Sequence, residues 1–222
     1  MSISSVLAID QGTTGTTCLV VGQHGKILGR AYSEFTQYFR RPGWVEHDAL
    51  EIWDTTTRVA REAIDQASGA DICAIGIANQ RETVVLWDRE TLKPVHPAIV
   101  WQDRRTVDIC QELRNAGYET EVRFRTGLVL DPYFSGTKIR WILDQNPDLR
   151  SRAESGELAA GTIDTWLLAR LTDGTVHATD PTNASRTLLF HLTEASWDPW
   201  LLDIFGIPQN LLPEVCSSSG YF

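Results

Sequence analysis

The sequence predicts an α/β fold built on a mixed sheet, and three observations carry that expectation. Three short apolar runs follow one another with only tight turns between them, a long amphipathic segment comes next, and a fourth apolar run follows it directly. Strands joined by tight turns pair antiparallel, whereas a strand reached through a crossover helix lies parallel to its partner.

Taken in order, "SVLAID" reads as a short buried strand, "TTCLVVGQ" as a second and "KILGRAYSEF" as a third, with turns at Gly12 and at Gly22 to Gly25. "PGWVEHDALEIWDTTTRVAREAIDQAS" opens on a Pro-Gly break, offers Asp48 as an N-cap, and repeats Leu50, Ile52, Trp53, Val59, Ala60, Ala63 and Ile64 near helical spacing. Glu46, His47 and Asp48 mark the helix entrance. "ICAIGIAN" supplies a buried fourth strand, parallel to the first if the crossover is right-handed. Three strands, a helix and a strand make the order of a ribonuclease-H-like, actin-type ATPase core with flanking helices; a doubly wound nucleotide-binding fold alternates strand and helix from its start. Further along come a hairpin ("TVVLWDRETLKPV"), a strand ("AIVWQ"), a helix ("RRTVDICQELRNAG") and a short helix over 136–144. "GTIDTWLLARLT" then runs from a strand end into a helix. With no repeat, low-complexity stretch or long linker, residues 1–222 are expected to form one domain.

Composition excludes several function classes. A net charge of -9 repels a phosphate backbone, and the basic pairs Arg40-Arg41 and Arg104-Arg105 are short, so nucleic acid is not an expected partner. The start "MSISSVLAID" lacks the basic residues and long apolar centre of a signal peptide, and no later run is long enough to span a bilayer, so a cytoplasmic location is expected. Four cysteines (Cys18, Cys73, Cys110, Cys216) form no CxxC pair and read as reduced, mostly buried thiols. His24, His47, His96, His177 and His191 lack metal-ligand spacing and read as structural or solvent-exposed.

The chemistry begins at Asp10-Gln11-Gly12-Thr13-Thr14-Gly15. A strand ending in Asp and entering a Gly-Thr-Thr hairpin gathers backbone N–H groups and hydroxyls beside a carboxylate able to hold hydrated magnesium. It is not a P-loop, since the GxxxxGK[ST] lysine is missing and a strand follows. A Thr-rich hairpin with no ligand is the other reading of the same residues.

Six segments resemble the FGGY carbohydrate kinases, and within them the glycerol-phosphorylating members: "AIDQGTTGTT", "PGWVEHDALEIWD", "AIGIANQRETVVLWDRET", "AIVWQDRRT", "TGLVLDPYFSGTKIRWILD" and "GTIDTWLLARLTDGTVHATDPTNASRTLLF", which span nearly the whole chain in order. The resemblance implies transfer of the ATP γ-phosphoryl group to a terminal hydroxyl of glycerol, giving sn-glycerol 3-phosphate. By matching positions it also implies that Asp10 faces Mg2+, that Gly12, Thr13, Thr14 and Gly15 form the phosphate hairpin, and that Arg81, Glu82, Trp101 and Tyr133 contact the polyol. Such a set is chemically apt: Glu82 can accept from two neighbouring hydroxyls, Arg81 can donate to another, and Trp101 can cover the C–H face. A surface ion pair at a strand end, and ordinary core aromatics, are the competing readings of these residues.

Successive strand side chains point to opposite faces, so Arg81 and Glu82 cannot both reach one small ligand from a regular strand. Pairing is therefore expected to stop near Asn79, with residues 80–82 turning over the sheet's C-terminal edge. Asp103, Arg104 and Arg105 are candidates to brace the Trp101 loop and Asp164 to orient a neighbouring segment, or all of these are caps and surface ion pairs. Gly15, Thr16 and Thr17 stand where the glycerol-phosphorylating members commonly carry Ser-Ser-Arg, so the resemblance implies that an arginine near the ATP phosphates is missing. The family's catalytic base and most of its adenosine pocket lie in a second lobe. The chain is accordingly expected to be the N-terminal lobe, partnered by a C-terminal lobe and inactive alone, with homo-oligomerisation open. The alternatives are a kinase for another sugar of the family, a non-catalytic binding module, or an actin-like assembly protein.

Overall fold

A computed structural model describes residues 3–222 of the chain, which divide into two compact units. One holds the residues up to 37 together with 47–80, and the other holds 38–46 together with 81–222.

In the first unit, β1 (Ile3–Gln11), β2 (Gly15–Val21) and β3 (Ile27–Glu34) are followed, past β4 (Glu46–His47), by α1 (Ala49–Gln66) and β5 (Ala70–Asn79). The sheet order is β3-β2-β1-β5; β2 runs antiparallel to both β1 and β3, and β5 lies parallel to β1. This is the mixed sheet with an antiparallel three-strand start that the element order predicts. Side chains alternate along β1: Ser5, Leu7, Ile9 and Gln11 are buried, while Ser4, Val6 and Asp10 are exposed. The buried face packs with Cys18, Val20 and Ala31 of the neighbouring strands and with Val59, Ala63 and Ala67 from α1 and its end. Asp48 caps α1, its carboxylate accepting from Leu50 N and Glu51 N. The helix buries Ala49, Ile52, Thr55, Thr56, Val59 and Ala63 and leaves Leu50 and Ile64 outside. Gly29 is required by close approach, because a Cβ there would overlap the Ala63 carbonyl of the helix backbone.

The expected burial of "SVLAID" and "ICAIGIAN" is corrected. Only one face of β1 is covered, and β5 is exposed over most of its length, including Cys73 and Ile75, which is 50% exposed. The reason is position: β5 ends the sheet, and α1 packs chiefly over β2 and β3. Apolarity alone does not reveal whether a strand sits in the middle of a sheet or at its margin. Cys18 and Cys110 are buried as expected, and all four thiols are free.

In the second unit, β6 (Val84–Asp88) and β7 (Ala98–Ile99) precede α2 (Val107–Asn115), α3 (Glu119–Thr126), α4 (Ser135–Gln145) and α5 (Pro147–Ser155). Then come β8 (Leu158–Thr162), α6 (Ile163–Leu171), β9 (Ala178–Thr179), α7 (Pro181–Ala184), β10 (Phe190–His191), β11 (Ser196–Trp197), α8 (Pro199–Phe205) and β12 (Glu214–Val215). The sheet order is β4-β7-β6-β8, with small pairs β10-β11 and β9-β12. Val84 and Leu86 of β6, Leu158 and Ala160 of β8, Ile139 and Ile142 of α4 and Phe205 of α8 share one core. The strand-to-helix junction expected in "GTIDTWLLARLT" falls between β8 and α6. The second arm of the expected hairpin shrinks to one bridge, Trp87 to Pro94, as befits a residue with no N–H to give a ladder.

No helix among the described residues is long and apolar enough to cross a membrane.

Candidate functional site

The hairpin residues lie in the first unit. β1 pairs in register with β2 as far as Gln11 and Thr16, and the turn between them is closed by Gly12 N donating to Gly15 O at 2.9 Å. Carbonyls of the turn are held from beneath: Gln37 Nε2 donates to Thr13 O at 2.8 Å, and Phe35 N to Thr14 O at 3.3 Å. Gly15 is fixed by space rather than by dihedral. A Cβ there would come within 2.6 Å of Ser33 O and 2.8 Å of the Tyr32 ring. Thr16 in turn is buried, with its hydroxyl 3.5 Å from that of Thr56.

Asp10 and Thr14 are exposed, whereas Gly12 and Thr13 are partly covered. No group of three or more His, Cys, Asp or Glu side chains among the described residues is arranged to hold a metal. One exposed carboxylate beside hydroxyls is an oxygen donor set that fits magnesium, which keeps most of its shell as water and phosphate oxygens; it does not fit an all-protein cage.

The other candidates lie in the second unit, where the chain leaves the sheet. Pairing of β5 with β1 ends at Asn79, residues 80–83 are outside any strand, and Glu82 adopts φ 63°, in the left-handed region. That is the departure from strand geometry expected for two adjacent side chains serving one ligand. Arg81 is exposed, while Glu82 is 2% exposed. Its backbone carbonyl accepts from Ser135 Oγ at 3.1 Å, and its carboxylate Oε1 accepts from Arg186 Nε at 2.7 Å.

Trp101 and Tyr133 converge on the same region. Trp101 N donates to Thr83 Oγ1 at 3.3 Å, next to Glu82, and the Trp101 and Tyr133 rings lie 5.4 Å apart, tilted by 53°. Both rings are half-buried. The structure thus brings Glu82, Trp101 and Tyr133 together, with Arg81 adjoining in sequence, on the edge formed by β6 and the N-terminus of α4.

Two supports were missed in the sequence. Arg186 follows α7 and stacks its guanidinium 5.0 Å from the centre of the Phe134 ring. It lies inside the quoted segment "TNASRT", but no spacing rule points from there to Glu82, 104 residues earlier. Lys138 is wholly buried, and its Nζ donates to the carbonyls of Pro132 and Tyr133, both at 2.6 Å, and of Phe134 at 3.1 Å. Burial pulls its pKa down to about 7. Asp131 completes this frame, accepting from Tyr133 N at 2.8 Å and pairing with Arg104 at 2.8 Å.

Asp103 and Arg105, read as braces or as caps and surface ion pairs, form a buried pair tied to residues 44–46. Asp103 accepts from Val45 N at 2.7 Å and from Arg105 Nη2 at 2.7 Å; that Nη2 also meets Glu46 Oε1 at 2.9 Å. The guanidinium lies 3.7 Å from the centre of the Trp44 ring, and Arg105 and Asp103 side chains are both 1% exposed. Asp164 is partly buried, bonded by the hydroxyls of Thr162 and Thr179, and desolvation raises its pKa.

Residues 5–222 match the model of the FGGY family of carbohydrate kinases, N-terminal domain. A glycerol kinase of Alcanivorax borkumensis is 55% identical over 219 residues, covering 98% of this chain and 44% of the relative. One from Bradyrhizobium diazoefficiens is 56% identical over 222 residues, with 99% and 44% covered. The chain therefore spans under half the length of the curated relatives it matches. Among solved structures, a Plasmodium falciparum glycerol kinase with ADP superposes with TM-score 0.93 at 36% identity, covering 96% of this chain and 43% of that one. A gluconate kinase from Lactobacillus acidophilus shares the fold at TM-score 0.87 and 24% identity, with 97% of this chain and 42% of that one covered. The ribonuclease-H-like, actin-type architecture read from the element order is thus that of sugar kinases, and the chain belongs to the FGGY family of carbohydrate kinases, whose N-terminal domain it matches.

Proposed function

We propose that this chain is the polyol-binding and phosphate-cradling lobe of an ATP-dependent glycerol kinase. The convergence of Glu82, Trp101 and Tyr133 where the chain breaks out of the strand register carries the reading, and kinship to glycerol kinases over nearly the whole chain supports it. In this reading Glu82 accepts hydrogen bonds from two neighbouring hydroxyls of glycerol, Arg81 donates to a hydroxyl oxygen, and Trp101 with Tyr133 covers the carbon skeleton. Thr13, Thr14 and the N–H groups of the Gly12 to Gly15 turn are assigned to the phosphates of ATP, with Asp10 facing Mg2+ through its hydration shell. The metal, when bound, offsets charge on the transferring phosphoryl oxygens. Deprotonation of the attacking hydroxyl is assigned to a second lobe and not to Glu82, which is occupied with orienting hydroxyls.

Titration calorimetry of glycerol into the purified chain tests this. Millimolar binding is expected, because one or more charged hydrogen bonds to the polyol come from elsewhere, and each is worth about tenfold to a hundredfold in affinity. Arg81→Ala and Glu82→Ala should each abolish measurable binding, and xylulose and gluconate should bind more weakly than glycerol. Equal binding by the native chain and both variants would overturn the assignment.

A further inference from the structure

Arg186 and Glu82 form a pair that the polyol reading does not by itself require. We propose that Arg186 is a positioning residue for the polyol carboxylate: it takes one oxygen of Glu82 and so fixes the other for substrate hydroxyls. The inference rests on the reading of Glu82 as polyol-binding.

The Glu82 carboxylate is nearly enclosed, and a buried carboxylate without a cation is costly enough to turn away. Arg186 Nε meets Oε1 at 2.7 Å, and among the described residues Oε1 is the carboxylate oxygen that the pair engages. Glu82 also sits at φ 63°, a conformation that non-glycine residues hold only when their surroundings over-determine it. Two constraints do so here: Ser135 Oγ grips the backbone carbonyl, and Arg186 grips the side chain.

Arg186 is itself held on both sides. Its backbone N donates to Asn183 O at 2.9 Å at the end of α7, whose cap Asp180 accepts from Asn183 N at 2.9 Å. The next residue presents Thr187 O to Gly136 N at 2.7 Å, and a Cβ on Gly136 would press within 2.8 Å of that oxygen. Residues 186–187 are thereby fastened to the start of α4, beside Ser135 and Phe134. The guanidinium lies over the Phe134 ring in the same arrangement that reaches Glu82, a contact that favours it. A carboxylate oriented before ligand arrives loses less freedom on binding, which is the physical route by which a residue touching no substrate raises affinity.

The test is glycerol affinity of the native chain, Arg186→Gln and Arg186→Lys, with circular dichroism confirming the fold. Arg186→Gln should weaken binding tenfold or more, and Arg186→Lys, which restores a charged donor, should recover to within about threefold of native. If Arg186→Gln does not fold, Arg186→Met, which keeps an aliphatic stem against Phe134, gives the uncharged comparison. Native affinity in the uncharged variant, or a lysine variant as weak as the uncharged one, overturns the proposal while leaving the polyol site intact. A native chain that binds no polyol overturns the polyol reading and this inference together.

Discussion

His47 donates from Nε2 to Gln37 Oε1 across 2.7 Å, and the direction of that bond follows from what Gln37 does with its other end. The Gln37 amide nitrogen is committed to Thr13 O, so its oxygen must accept and the imidazole must give. Nδ1 of His47 is then an acceptor, with Gln80 Nε2 3.4 Å away; the same amide nitrogen reaches Gln11 Oε1 at 3.1 Å and Gly12 O at 3.3 Å. A neutral imidazole completes this amide chain beneath the hairpin, whereas a protonated one would set an N–H against an amide donor.

Burial accordingly lowers His47 from 6.5 to about 4. Above pH 6.5 the folded and unfolded states are both neutral, and His47 makes no pH-dependent difference. Between pH 6.5 and 4 only the unfolded chain takes the proton, so stability falls as pH drops through that window; below it the penalty is constant, at about 3 kcal/mol. His177 in the second unit is also lowered to about 4 by burial, with Arg89 adding repulsion, and should contribute in the same direction. Urea unfolding at pH 7 and 4.5 checks this. His47→Gln should flatten the dependence by about one proton, and a slope equal to that of the native chain would show that His47 is not the group responsible.

Gly29 and Gly76 offer a paired test of close packing in the first unit. A Cβ on Gly29 would collide with the Ala63 carbonyl, which belongs to helix backbone and cannot rotate away, so Gly29→Ala should cost about 1–3 kcal/mol. At Gly76 nothing lies within 4 Å of the added carbon, and Gly76→Ala should leave stability within about 0.5 kcal/mol of native or raise it slightly. Urea midpoints of the two variants measure the contrast; equal losses would mean that the space between α1 and β3 is not the determinant.

The contrast between what the sequence revealed and what it hid follows from the range of the forces involved. β1 to β3, α1 and β6 are legible because their apolar periodicity is local. α3 and α5 are not, since each buries only two residues four apart, Val122 with Thr126 and Leu149 with Ala153, too few to set a period. The break at residues 80–82 was predictable because two adjacent charged side chains cannot share a strand face. Arg186 and Lys138 were not, since a cation's partner across the fold leaves no mark on its own neighbours in sequence. The exposure of β5 was hidden for a related reason: the sequence records how apolar a strand is but not what packs beside it.

Asp103 and Arg105 should behave as a unit. Arg105→Met strands the buried Asp103 carboxylate and is expected to cost about 3–5 kcal/mol, whereas Asp103→Asn leaves Arg105 its Glu46 partner and should cost less. The double variant should lose less than the sum, because neither charge is then left without its partner, although Glu46 still faces the vacated guanidinium position. Denaturant midpoints of the two single variants and the double variant supply the cycle. Strict additivity would mean that the Asp103–Arg105 contact carries no coupling.

Lys138 sets two opposing terms against each other at one atom. Full burial of an ammonium opposes folding, and lowers its pKa to about 7, while three carbonyl oxygens from consecutive residues hold the charged form. Those carbonyls belong to the segment that carries Tyr133, so the lysine fixes the backbone from which one of the proposed polyol-contacting rings projects. Lys138→Met keeps the stem and removes the donors from the Pro132 and Tyr133 carbonyls, while Phe134 O keeps Thr137 Oγ1 at 3.3 Å. The expected loss is about 2–4 kcal/mol of stability, together with weaker glycerol binding because the Tyr133 segment is no longer pinned. Urea unfolding and glycerol titration of the same variant read the two effects separately. A more stable methionine variant would show that desolvation of the ammonium outweighs its three bonds. Unchanged glycerol affinity in a destabilised variant would show that the Tyr133 segment is held in place by Asp131 and Ser135 without it.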